Sequence, residues 1–231
     1  MTPLFSVFPK NISTYGADID NLFWLILAVV GVAFVISVFI LLRPVFTNHY
    51  KKVPKAEYIT GEKKQHFRWI VIALVLLAVS DFAILFAEHP VWARTQEEVP
   101  DPDLHVAIIG RQWNWIFVYP GPDNKLNTSD DVYVDQQNSS LHVPVNKNVV
   151  IDLKARDVLH SFFVAELRLK QDAIPGRTTS RWFNATTEGT YDLVCAEICG
   201  VLHSQMRNFL VVESEENFKQ FTDTLYAKTN L

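Results

Sequence analysis

Val149-Val150-Ile151-Asp152-Leu153-Lys154-Ala155-Arg156 sets valine, isoleucine, leucine and alanine on one face and a largely polar set on the other. That period of two is the mark of a half-buried β-strand. Similar short segments flank it: 104–109, 113–119, 132–135, 141–145, 161–167, 180–183, 189–195 and 208–212. Turn-forming residues separate them at Pro120-Gly121-Pro122-Asp123, Asn146-Lys147-Asn148 and Pro175-Gly176. About nine short strands in about 110 residues predict an all-β domain over 104–213, a Greek-key sandwich or barrel.

The chain before this domain has a different grammar. Residues 22–42 and 69–87 are almost uniformly apolar and long enough to cross a bilayer core of about 30 Å. They predict a transmembrane helical hairpin, with Arg43-Pro44 ending the first span. The connecting stretch, 43–68, carries Lys51, Lys52, Lys55, Lys63 and Lys64, which puts it on the inner side. Residues 1–21 and everything after the second span then lie on the outer face. Residues 1–21 hold one lysine and no small-residue cleavage pattern, so no cleavable signal peptide is expected. Residues 88–103 read as an acidic, proline-containing linker. Ser214-Glu215-Glu216 caps a C-terminal helix over 214–231. Asp81, inside the second span, implies that this span meets protein or water on one side.

Chemistry concentrates in Cys195-Ala196-Glu197-Ile198-Cys199-Gly200-Val201-Leu202-His203-Ser204-Gln205-Met206, which holds both cysteines of the protein. Taken alone, two cysteines four apart could form a disulfide in an oxidising compartment. Adding His203, Met206 and the upstream His160 makes a soft donor set that suits copper best; zinc has no use for a methionine. A single-copper His₂Cys site with an axial methionine would leave one thiolate over. Two bridging sulfurs, each ion capped by one histidine, use the full set. Such a centre has no open position for a substrate and points to electron transfer.

These residues, with Asp157-Val158-Leu159-His160-Ser161-Phe162-Phe163-Val164 and Lys170-Gln171-Asp172-Ala173-Ile174-Pro175-Gly176-Arg177, resemble subunit II of cytochrome c oxidase, and the β-pattern resembles the cupredoxins. The resemblance implies a binuclear copper A centre held by His160, Cys195, Cys199, His203, Met206 and the backbone carbonyl of Glu197. It further implies that the Glu197 carboxylate reaches a Mg²⁺ or Mn²⁺ shared with subunit I, and that Trp113 receives electrons from cytochrome c. Asp130, Asp131, Asp135 and Asp157 are candidate docking acids. The partners implied are a haem–copper subunit I, the other oxidase subunits, cytochrome c or a cytochrome c domain, and a bacterial plasma or mitochondrial inner membrane. The function implied is electron input to an enzyme that reduces O₂ to water and pumps protons. Two other roles use part of the same pattern: a copper A subunit of another reductase such as nitric oxide reductase, and a copper-free assembly subunit, against which the ligand set argues.

Charge agrees with an outer domain that meets a cationic partner. From residue 88 onward 13 basic residues stand against 20 acidic ones. No basic, aromatic-interleaved patch suggests nucleic acid. No Cys-x-x-Cys-His sequence occurs, so the donor haem is expected on a separate protein or domain. His66 stands where the resemblance would place the glutamate of a proton channel, a departure from the family pattern that breaks the carry-over of that role.

Overall fold

The computed structural model describes residues 8–47, 60–137 and 139–229. The chain divides into two compact units, one of residues 18–92 and one combining 1–17 with 93–231. Lys51, Lys52 and Lys55 of the predicted inner loop lie outside the described residues.

In the first unit, α1 (Gly16–Thr47) and α2 (Lys64–Trp92) extend beyond the apolar runs at both ends. Asp18 occupies the first turn of α1, where a carboxylate favours the positive end of the helix dipole. Mean hydropathy over their most apolar stretches is 3.2 and 2.8. Large side chains such as Phe34, Phe39 and Leu41 are exposed along them, a surface that lipid rather than water would accept. Pro44 does not end the first helix as the sequence suggested. It forgoes one backbone hydrogen bond inside the helix, and Thr47 Oγ1 bonds the Arg43 carbonyl at 2.9 Å in the next turn. Pro90 lies inside α2 in the same way, and a π-helical turn, Ala93–Glu97, follows.

The second unit is a two-sheet β-domain. Its strands are β1 (Leu104–Arg111), β2 (Asn114–Tyr119), β3 (Val132–Val134), β4 (Ser140–Pro144), β5 (Asn148–Ala155), β6 (His160–Val164), β7 (Leu169–Ala173), β8 (Thr179–Asn184), β9 (Gly189–Cys195) and β10 (Arg207–Glu213). One sheet has the order β3-β2-β1-β5-β8 and the other β4-β10-β9-β6-β7. The pairs β1–β5 and β4–β10 are parallel and the rest antiparallel. This is a cupredoxin-like sandwich, closed by α3 (Glu215–Thr229), whose Ser214 hydroxyl accepts the Asn217 N–H at 3.2 Å.

The alternation seen in β5 is real: Val149, Ile151 and Leu153 are fully buried, as are Ile108, Phe117, Leu141, Phe162 and Leu210 in other strands. Strand β7 escapes the pattern. Its middle, Lys170-Gln171-Asp172, is polar on both faces, and it exists as an edge strand because β6 supplies its ladder. The segment expected as one strand over 161–167 is instead β6 followed by a 3₁₀ turn, Ala165–Leu167.

Residues 11–15, which read as a polar lead, are built into the β-domain. Ile12 is fully buried; its N–H donates to Glu166 O at 3.0 Å and its carbonyl accepts the Thr186 N–H at 2.7 Å. Ser13 bridges Ala185, Thr14 N–H donates to Asn184 O, and Tyr15 donates its hydroxyl to Trp182 O. The Tyr15 and Trp182 rings meet edge-on at 5.4 Å. Because the chain on both sides of the two helices belongs to one domain, the helices leave it and return to it. That is what an even number of membrane crossings requires.

Between the strands of the first sheet, His105 Nε2 lies 3.1 Å from Asp152 Oδ2, and the Ser180 hydroxyl donates to Asp152 Oδ1 at 2.5 Å. The His105 contact holds the Asp152 carboxyl below its usual range, against an opposing push from burial, with Ser180 and Lys154 adding to the lowering. A depressed carboxyl contributes stability above its unfolded pKa of about 3.9 and gives it up as pH falls through the folded value. Thermal melts of the wild-type chain should therefore drop between about pH 5 and about pH 3. The Asp152→Asn variant should cost about 0.5–1.5 kcal/mol at pH 7 and flatten that drop. Parallel pH curves for the two proteins would refute the assignment.

Candidate metal centre

His160 opens β6, and its backbone pairs with Ala173 of β7. Cys195 closes β9 opposite Phe162, on the same side of the sheet as His160 by the period of the strand. The chain then loops to β10. Ala196 N–H donates to Ser161 O at 2.9 Å, Gly200 takes a φ of +132°, and a 3₁₀ turn, His203–Gln205, brings Met206 back so that its carbonyl accepts the Cys195 N–H at 3.2 Å. The loop is thus closed on itself at its base, with Cys195, Cys199 and Met206 buried beneath it.

The donor atoms converge. Cys195 Sγ and Cys199 Sγ are 3.9 Å apart, far beyond the roughly 2.05 Å of a disulfide, and both thiols are free. His160 Nδ1 lies 3.9 Å from Cys195 Sγ, and His203 Nδ1 lies 3.5 Å from Cys199 Sγ. Met206 Sδ is 3.8 Å from Cys199 Sγ, and Glu197 O is 3.2 Å from Cys195 Sγ. His160, Cys195 and Cys199 form a group able to hold a metal ion, with ligand atoms within 4.8 Å of one another. Metal–sulfur bonds of about 2.3 Å and metal–nitrogen bonds of about 2.0 Å let two donors on one ion stand at most about 4.6 Å apart. The five separations measured above, 3.2 to 3.9 Å, fall inside that limit, so the residues fit a bound metal. His160, Cys195, Cys199 and Met206 are buried, which keeps water from competing.

Electrostatics favours a cation here. At Cys195 burial pushes the thiol up, but hydrogen bonding with the His160 ring and with the backbone of Ser161 and Glu197 outweighs it and lowers the first deprotonation of the pair. At Cys199 burial and the neighbouring Cys195 charge both push upward, so the second proton is held. A metal cation bound here would offset that second penalty, and its binding would release protons.

His160 is oriented from behind. Its Nε2 lies 2.9 Å from Asp157 Oδ1, leaving Nδ1 free to face the sulfurs. Asp157 Oδ2 accepts the Gln112 N–H at 2.7 Å. Gly110 of β1 lies against the ring; a Cβ there would stand 2.9 Å from His160 Cδ2. Trp115 is fully buried and meets both His160 and Phe162 edge-on, at 5.9 and 6.1 Å.

Other residues singled out in the sequence lie around this centre or away from it. Glu197 projects its carboxylate to Lys170 at 3.3 Å. Trp113 belongs to the β1–β2 turn rather than to a strand and is half-buried, whereas Trp115 is core. Asp135 pairs with Arg111 at 2.6 Å. Asp130 and Asp131 accept hydrogen bonds within their own loop, from Thr128 and from Asn127 N–H. Asp157 is the acid in contact with a predicted ligand, an orienting position that its spacing three residues before His160 could have suggested.

Residues 104–214 match the family described as "Cytochrome C oxidase subunit II, periplasmic domain". The alternative cytochrome c oxidase subunit 2 of Bradyrhizobium diazoefficiens is 32% identical over 228 residues, covering 90% of this chain and 80% of the relative. The chain belongs to the cytochrome c oxidase subunit II family. Cytochrome c oxidase subunit 2 of Cereibacter sphaeroides is 28% identical over 91% of this chain and 77% of its own length. The crystal structure of the periplasmic domain of subunit II of cytochrome oxidase from Bradyrhizobium japonicum superposes with a TM-score of 0.50 at 30% identity, covering 56% of this chain and 98% of that one. As a subunit II, the chain is part of an oxidoreductase complex, and it carries the two apolar helices of a membrane-anchored protein.

Proposed function

We propose that this subunit II takes electrons one at a time from cytochrome c, or a cytochrome c domain, on the outer face of a bacterial plasma membrane or mitochondrial inner membrane, and hands them to haem in subunit I. There O₂ is reduced to water with proton pumping. The observation that carries this reading is the division of donors about two neighbouring sulfurs, with His160 beside Cys195 and His203 beside Cys199. Cys195, Cys199, His160 and His203 would hold two copper ions in that arrangement, and those ions would supply a one-electron redox centre.

The chain's own residues set how that centre behaves. His160 and His203 offer Nδ1, Met206 offers its thioether and Glu197 its carbonyl as weak outer donors. A buried, pre-formed cage changes shape little when charge changes, which keeps electron transfer fast. The Glu197 carboxylate, now paired with Lys170, is the side chain that would reach a Mg²⁺ or Mn²⁺ at the boundary with subunit I.

Electrons are proposed to arrive at Trp113, whose neighbour Gly200 approaches so closely that a Cβ would lie 3.1 Å from Trp113 Nε1. Ile198 and Val201 expose apolar surface on the ligand loop, and Asp130, Asp131, Asp135 and Asp157 supply negative charge for a lysine-rich partner. The association rate with cytochrome c should fall about 10-fold between ionic strengths of about 0.01 M and about 0.15 M, where the screening length shrinks from about 30 to about 8 Å. A flat salt profile would count against acid-guided docking.

Metal and haem analysis of the purified complex tests the main reading. Two coppers per chain, an EPR signal shared over two copper nuclei, haem in the complex and O₂ consumption with cytochrome c are expected. A lone zinc, or a Cys195–Cys199 disulfide in the active protein, would overturn it.

A further inference from the structure

The donors of the metal centre come from two distant places: His160 from β6, and the other side chains from the end of β9 and the loop that follows it. One turn touches both. Between β1 and β2, the Gln112 N–H donates to Asp157 Oδ2 at 2.7 Å, and Asp157 Oδ1 stands 2.9 Å from His160 Nε2. The Gln112 side chain runs the other way and donates from Nε2 to Cys199 O at 2.6 Å. The amide orientation follows from the partner, since a backbone carbonyl only accepts. Gly200 makes the approach possible: it holds a φ of +132°, and a Cβ there would stand 2.9 Å from Gln112 Nε2.

We infer that Gln112 is a positioning residue of the metal centre, a strap that fixes the Cys199 side of the ligand loop against the His160 side. The inference rests on the copper reading above. Cys199 sits between the two halves of the donor set, in contact with Cys195, His203 and Met206. Its backbone has no sheet ladder, because it lies outside β9 and β10. The carbonyl bond to Gln112 ties that unsupported stretch to the β1–β2 turn, and the turn is tied through Asp157 to His160. Cutting the side-chain arm leaves the backbone arm to Asp157 intact. The loop can then open at Cys199 while the sandwich stays folded.

The test uses the full chain, loaded with copper and purified in detergent, with Gln112→Leu and Gln112→Glu. Leucine removes the donor, and glutamate turns a carboxylate toward the Cys199 carbonyl. Both variants should lose copper to an excess of copper chelator about 10-fold faster than wild type. Both should show altered copper hyperfine splitting in EPR, while circular dichroism melts of the metal-free chain stay close to wild type. A wild type that binds copper alongside variants with unchanged release rate and EPR spectrum overturns the strap alone. A wild type that binds no copper overturns the metal reading and the strap with it.

Discussion

Replacing Cys199 with serine is expected to abolish the paired-copper EPR signal and to silence electron transfer from cytochrome c, while the β-domain stays folded. Cys199 Sγ is the hub of the donor set: it contacts Cys195 Sγ, His203 Nδ1 and Met206 Sδ within 3.9 Å. A serine hydroxyl is a hard, protonated oxygen at neutral pH and does not replace a bridging thiolate. His203 and Met206 then lose the atom that joins them to Cys195 and His160. O₂ consumption driven by cytochrome c should fall by more than the 10- to 100-fold typical of residues that only support a ligand. Copper analysis and EPR on the purified complex locate the defect, and haem content shows whether the rest of the enzyme assembled. A Cys199→Ser complex that keeps the two-nucleus signal would remove Cys199 from the ligand set.

The largest effect on stability is expected at Trp115. Its ring is fully buried between the sheets, edge-on to His160 and Phe162. Trp115→Ala should cost about 3–5 kcal/mol, the range for deleting a large buried aromatic and leaving a cavity. At about 2–4 °C per kcal/mol for a chain of this size, the melting temperature should fall by about 10 °C. The indole N–H has no hydrogen-bond partner, so Trp115→Phe gives up ring area and no bond. It should cost about 1 kcal/mol. Circular dichroism melts of the three proteins check the ranking. Equal losses for alanine and phenylalanine would mean that the N–H, and not the packing, matters. Because the ring also bounds His160, the alanine variant should hold copper less tightly even below its melting point.

The alternating strands and the two long apolar runs were legible because each depends on a local period that survives without partners. The grouping of His160, Cys195 and Cys199 was legible because these residue types are rare and their combination chemically narrow. What stayed hidden depends on partners. Strand β7 has no alternation of its own and takes its form from β6. Residues 11–15 look polar because Asn11, Ser13 and Thr14 stand beside the buried Ile12 and Tyr15, and nothing nearby names Glu166, Trp182 or Thr186 as their mates. Pro44 was overweighted as a helix breaker, since long apolar helices carry a proline at the cost of one bond. Gln112 is a common residue in a common turn; only the approach of Asp157 and Cys199, 45 and 87 residues away, gives it work.

The stitching of residues 11–15 into the sandwich also dictates an order of assembly. Tyr15 and Trp182 are separated by 167 residues, and both predicted membrane crossings lie between them. With both helices spanning a bilayer, residues 11–15 would be made first and would wait unpaired while the strands that receive them are still being made. Loop closure over that distance adds entropy cost only logarithmically, but it delays the contact until late. Until then the berth beside Glu166 and Trp182 stands open. A bulky fusion placed just ahead of Ile12 would compete for that berth and slow maturation without touching a single ligand.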